Sequence, residues 1–218
     1  MRNARDVPGA PDVRDVPWWG TASSVASPLL LVTGLTAAAK LQPPTFDAFN
    51  NTVSALAGEG ASYSWVMTVT FVLVGACDVL TGLALRAAAL PGRVVLMVAG
   101  AAAAGVAAFP THLGGSAVHA LWAGIGFAGI ILWPVFAIRR GPDVPWALRP
   151  STCLSATVTL AALTVWFAAE QATHGGHMGL AERTAGVAQA LWPLIVVVSC
   201  RLSRATHELA DDLLEPGH

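Results

Sequence analysis

The sequence predicts an all-α integral membrane bundle of about six transmembrane helices, and three observations carry that prediction. Of the 218 residues, 55% are hydrophobic and only 11% charged, with a mean hydropathy of +0.61. Apolar stretches of near-span length recur along most of the chain. When they are threaded through a bilayer, the basic residues fall almost wholly on one side.

A soluble domain carries about 25% charged residues, and a chain this poor in charge cannot clothe a globular surface. Its apolar faces must meet lipid. The net charge of −1 gives no reason to expect a nucleic-acid partner. The cysteines, Cys77, Cys153 and Cys200, all sit in apolar stretches, which reads as small core residues and not a disulfide framework.

Residues 1–22 form a polar tail with Pro8, Pro11 and Pro17, closed by Trp18-Trp19-Gly20, an aromatic pair suited to the headgroup layer. The membrane domain is expected over residues 23–202. Its apolar segments are Ser23–Ala39, Ser64–Leu85, Val94–Phe109, Ala117–Ile138, Ser151–Ala169 and Ala181–Cys200. About 20 residues at about 1.5 Å each cross the roughly 30 Å hydrocarbon layer. Connections are short except for residues 41–62, which open on Pro43-Pro44 and close on Gly58 and Gly60. Phe46, Phe49, Val53 and Leu56 in that loop have helical spacing, so it either lies on the membrane surface or tucks back between helices. Residues 203–218 read as an acidic, frayed cytoplasmic helix.

Charge placement sets the orientation. With the N-terminus inside, the cytoplasmic stretches hold Arg2, Arg5, Arg14, Arg86, Arg93, Arg139, Arg140, Arg149, Arg201 and Arg204, whereas the outer ones hold only Lys40 and Arg183. Ten against two is a strong positive-inside bias. Both termini are therefore expected in the cytoplasm, and the protein in the cell membrane.

Three stretches resemble the bacterial domain-of-unknown-function family 998 (DUF998), whose members are small multi-pass membrane proteins. They are Phe46-Asp47 through Thr52-Val53-Ser54-Ala55-Leu56, Ala108-Phe109-Pro110 followed by His119, and Gly179-Leu180-Ala181-Glu182-Arg183 leading to Leu191-Trp192-Pro193. The resemblance implies a location and a helix count, and no activity.

Ionisable groups inside a span are functional candidates by default. Asp78 is the clearest, and its plainer reading is a pair with Arg86 or Arg93 or a bond to a neighbouring helix. Lys40, Asp47, Glu59, His112, His119, Glu170, His174, His177, Glu182 and Arg183 gather toward the outer face, where loops place polar residues in any case. His119 and Glu170 sit at helix ends. Tryptophan is abundant, eight residues against one tyrosine. Trp122 lies one turn from His119, Trp166 one turn from Glu170, and Trp192 near mid-membrane, while Trp18, Trp19, Trp65 and Trp146 suit interfacial belts. The small residues from Gly100 to Gly105 and at Gly124, Gly126 and Gly129 read as helix packing.

Carboxylic acids shielded from water beside aromatic rings are the equipment for starting and guiding a carbocation. The leading expectation is thus a membrane enzyme for an apolar isoprenoid or lipid substrate, similar in style to terpene cyclases. Its acid–base candidates are Asp47, Glu170, Asp78 and His119, and its substrate-binding candidates Trp122, Trp166, Trp192, His112 and Arg183. No cofactor is expected; the partners are membrane lipid and an apolar or prenylated substrate. One alternative is a non-catalytic assembly factor or small transporter. A further one is a metal-dependent lipid hydrolase using His174-Gly-Gly-His177 with His112, His119, Asp47 and Glu170.

Overall fold

The computed structural model describes residues 15–58, 60–110 and 117–214, without the side chains of 207, 208 and 210–214. Among these residues the chain is all helical. The elements are α1 (Trp18–Lys40), the short α2 (Val53–Ala57), α3 (Trp65–Ala84), α4 (Leu90–Ala108), α5 (Ala117–Phe136), a single 3-10 turn (Trp146–Leu148), α6 (Pro150–Thr173) and α7 (Met178–Leu214). Six of them, α1 and α3 to α7, are long and apolar enough to cross a membrane. The long helices pack in a ring: α1 on α3, α3 on α4, α4 on α5, α5 on α6, α6 on α7, and α7 back on α1.

The helix boundaries differ from the hydropathy segments in an instructive way. α1 begins at Trp18, five positions before the apolar run, because Pro17 starts the helix and the tryptophan pair forms its first turn. α7 does not end at Cys200 but continues to Leu214, roughly 56 Å in all. Only Met178–Thr206 is apolar enough to span, so the acidic tail extends the same helix past the membrane.

Lipid tails are as apolar as leucine, so association of these helices depends on close packing and buried polar bonds. Along the α1–α3 seam both appear. Gly20 faces Ala84, and Gly34 faces Thr70, each so close that a Cβ would come within 2.2 and 2.1 Å respectively. Between them Ser23 shares a 2.8 Å hydrogen bond with Thr81, and Ser27 donates to Asp78. The α3–α4 crossing is tighter still: a Cβ on Gly75 would sit 2.3 Å from the Gly100 carbonyl, and one on Gly100 would sit 2.5 Å from the Gly75 carbonyl.

The bundle has two unlike ends. At one, Arg139 donates to the Ala87 and Ala88 carbonyls, Arg93 to those of Gly82 and Leu83, and Arg149 to that of Val144. This arginine-rich end rests on an apolar cluster including Leu85, Leu96, Trp133, Leu148 and Val196, all fully buried. The other end is built from residues 41–58 and 60–64 and the α6–α7 turn. There the long loop tucks between helices: Val53 and Leu56 of α2 are buried with Leu31, Leu35, Met67 and Val74, while Phe49 stays exposed. Thr52 caps α2 by accepting from the Ala55 amide at 3.2 Å.

Candidate functional site

Two buried carboxyl groups share one chamber inside the ring. The cavity measures about 140 Å³. Phe71 and Asp78 come to it from α3, Ala99, Ala103 and Val106 from α4, and Ala123, Gly126, Phe127 and Ile130 from α5. Glu182 of α7 and Ser54 of α2 complete the wall. Apart from Ser54 and the two acids, every lining residue is apolar or glycine. The small residues of α4 and α5, which the sequence suggests only as packing, leave the room for this chamber.

Asp78 is only 7% exposed. Its Oδ1 accepts from the Ser27 hydroxyl across the α1–α3 seam at 3.2 Å, and among the described residues Oδ2 takes no hydrogen bond. It does not pair with Arg86 or Arg93. Arg93 turns its guanidinium to backbone carbonyls at the arginine-rich end, so the bond to a neighbouring helix is the one that forms. Ser27 fixes one oxygen and leaves the other side of the carboxyl group to the cavity.

Glu182 is equally buried, at 7%. Its Oε2 accepts from the Val53 amide at 2.6 Å and its Oε1 from the Ser54 hydroxyl at 3.3 Å. Val53 opens α2, so its amide is one of the N-terminal helix donors without an intrahelical partner, and Glu182 supplies the acceptor. Asp78 lies 13 residues into α3 and Glu182 four residues into α7, with both helices starting at the loop end. The two acids are thus separated by roughly 14 Å along the bundle, and the chamber runs lengthwise between them.

The other expected site residues lie elsewhere. Asp47 is exposed and organises its own turn, accepting from the Phe49 amide at 2.9 Å and the Asn50 side chain at 2.6 Å. Glu170 closes the α6–α7 turn by accepting from the His177 amide at 3.0 Å, against which His174 sits in the left-handed conformation at φ 50°. His119 is buried and its Nδ1 is 2.9 Å from the Phe109 carbonyl, which ties the start of α5 to the end of α4. None of these three lines the chamber. His112 lies outside the described residues.

The tryptophans do not form its wall either. Trp122 covers Gly105, whose absent Cβ would come 2.4 Å from the indole. Trp166 is 36% exposed on the outside of the ring. Trp192 packs on the apolar cluster at the arginine-rich end. The aromatic lining comes from Phe71 and Phe127, with the Phe127 ring also tilted at 35° against Phe167, 5.8 Å between centroids. Arg183 serves the loop: its Nη1 donates to the carbonyls of Ala48, Asn51 and Gly179. Among the described residues no three His, Cys, Asp or Glu side chains gather closely enough to hold a metal ion.

Glu182, which the sequence places only among the polar residues of the outer face beside Arg183, is the second acid of the chamber. Its signal was the pairing of an acid one turn inside an apolar helix with the capped Thr52-Val53-Ser54 segment. No curated protein and no solved structure matches the chain. A family profile described as protein of unknown function (DUF998) matches residues 24–199, which takes in four spans whole, most of the first and last, α2 and both cavity acids. The chain is a multi-pass membrane protein and belongs to the DUF998 family.

Proposed function

We propose that this protein is a membrane-embedded enzyme acting on an apolar isoprenoid substrate, with Asp78 as proton donor and acceptor. The observation that carries the reading is the chamber itself. An apolar cavity within the span, bounded by two phenyl rings, holds a carboxyl group with one oxygen fixed by Ser27 and the other unbonded. A prenyl chain lodged in such a space would remain in an apolar medium.

In the proposed reaction Asp78 enters as the carboxylic acid. Its O–H bond breaks as a C–H bond forms at a terminal alkene carbon, leaving a carboxylate and a tertiary carbocation. A second alkene of the same chain attacks the cation and closes a ring. The carboxylate then removes a proton from the carbon next to the new cation, and the acid is restored. No atom is gained or lost, so the net change is isomerisation and no co-reactant is needed. Phe71 and Phe127 stabilise the cation through their ring faces, and the apolar walls keep out water that would quench it.

The test is turnover of prenylated substrates in membranes holding the full chain. Asp78→Asn keeps the side-chain volume and removes the acid, and general acid–base contributions amount to about 10²–10⁴-fold. Loss of turnover on that scale at unchanged protein level supports the assignment. Full activity in Asp78→Asn, or no consumption of prenylated compounds by the wild type, rejects it.

A small carrier is the second reading, favoured by the lengthwise stacking of Asp78 and Glu182, which is the arrangement a proton or cation relay requires. Uptake into vesicles without chemical change of the solute would select it.

A further inference from the structure

The loop end carries two cations in the membrane domain, Lys40 and Arg183, and both line one groove on the outside of the ring between α1 and α7. The groove has a volume of about 380 Å³, and below the two cations its walls are Val32, Leu35, Ala39 and Val187, with Thr36 the one polar side chain among them and its hydroxyl turned to the Val32 carbonyl. It is distinct from the inner chamber: Glu182 points inward from α7, and the next residue, Arg183, points to the groove.

Neither cation is neutralised by an ion pair among the described residues. Lys40 is exposed at the last turn of α1 and has no hydrogen-bond or ionic partner there. Arg183 spends Nη1 on three backbone carbonyls, which fixes the guanidinium, while its Nη2 is buried without an acceptor. Glu182 and, more weakly, Asp47 lie within electrostatic reach of Arg183, but the Glu182 oxygens are engaged by Val53 and Ser54 and those of Asp47 by Phe49 and Asn50 in its own turn. Two cations above an apolar trough are complementary to a molecule with an anionic head and a hydrocarbon tail.

We infer that this groove binds one anionic membrane phospholipid, its phosphate against Lys40 and Arg183 and one acyl chain along Val32, Leu35, Ala39 and Val187. The α1–α7 contact closes the ring, so the lipid would seal the outside of the joint between first and last helices. A phosphate seated against the guanidinium would supply the acceptor that Nη2 lacks. The inference is independent of any chemistry at Asp78.

Native mass spectrometry of the full chain in neutral detergent tests it, with dioleoyl phosphatidylglycerol, dioleoyl phosphatidylcholine and inorganic phosphate as separate probes. A cation near an anionic headgroup changes affinity by about fivefold. One phosphatidylglycerol should therefore bind at least about fivefold more tightly than phosphatidylcholine. Lys40→Gln, at an exposed position without partners, should erase about fivefold of that affinity. Ala39→Trp should fill the trough and block the lipid in a protein that keeps its thermal stability. Equal binding of both lipids, or an unchanged affinity in Lys40→Gln, overturns the inference. So does inorganic phosphate binding as tightly as the lipid, or lipid binding that survives Ala39→Trp, since either removes the tail from recognition.

Discussion

The Glu182 carboxylate accepts a 2.6 Å hydrogen bond from the backbone amide of Val53, 129 positions earlier in the chain. This bond anchors α2 beneath the loop end and sets one end of the chamber. Because Arg183 holds the carbonyls of Ala48 and Asn51 at the same time, two consecutive residues of α7 secure a loop from both of its backbone polarities. Removing the carboxyl should therefore loosen the loop before it loosens the bundle.

Glu182→Ala leaves the buried Val53 amide without an acceptor, a loss of about 1–3 kcal/mol. Glu182→Gln keeps a carbonyl oxygen at the same place and should lose less. Limited proteolysis within residues 41–62 should be faster in the alanine variant than in the glutamine variant, and slowest in the wild type. Equal rates in all three would show that the loop does not depend on this bond.

Gly100→Ala places a Cβ against the Gly75 carbonyl and 3.0 Å from the Asp78 Cβ, so α3 and α4 must part. Overpacking of this kind costs about 1–3 kcal/mol. Gly124→Ala is the control, since its Cβ meets nothing within 4 Å and gains helix propensity of up to about 1 kcal/mol. Thermal denaturation in detergent should lower the midpoint for the first and hold or raise it for the second.

The arginine-rich end is proposed to face the cytoplasm, on the positive-inside bias. A reporter active only in the cytoplasm should work when fused after Arg86, Arg140 or Arg204 and fail when fused at Gly58 or Gly176. Activity at Gly58 would reverse the orientation.

Most of the architecture was legible in the sequence, because span length and apolar content are local properties. Six helices and their order follow from them. Their ends do not: Pro17 and the amphipathic continuation of α7 act through capping and helix propagation, which a hydropathy window averages away. The site was less legible. Asp78 stood out as an acid inside a span, and its cavity position was open to inference. Asp47 and Glu170 are equally acidic in sequence, yet each satisfies a local turn, and only the path of the backbone reveals that. Glu182 was hidden for the opposite reason, since its partners Val53 and Ser54 are distant in the chain. Trp122, Trp166 and Trp192 lie off the chamber wall, because their bulk needs a surface to cover. Trp122 found it on Gly105, and the smaller Phe71 and Phe127 were left to wall the chamber.

The central claim, protonation of an apolar alkene by Asp78, is tested most directly by the mass of the product formed in heavy water. After long equilibration of the membranes in D2O, Asp78 enters its first turnover as the deuterated acid, so a cyclic product isomeric with the substrate should carry one deuterium for each protonation that starts a cyclisation. Asp78→Asn membranes should form none of it. A product without deuterium, a product enlarged by the elements of water, or an identical deuterated product from the Asp78→Asn variant would contradict the account.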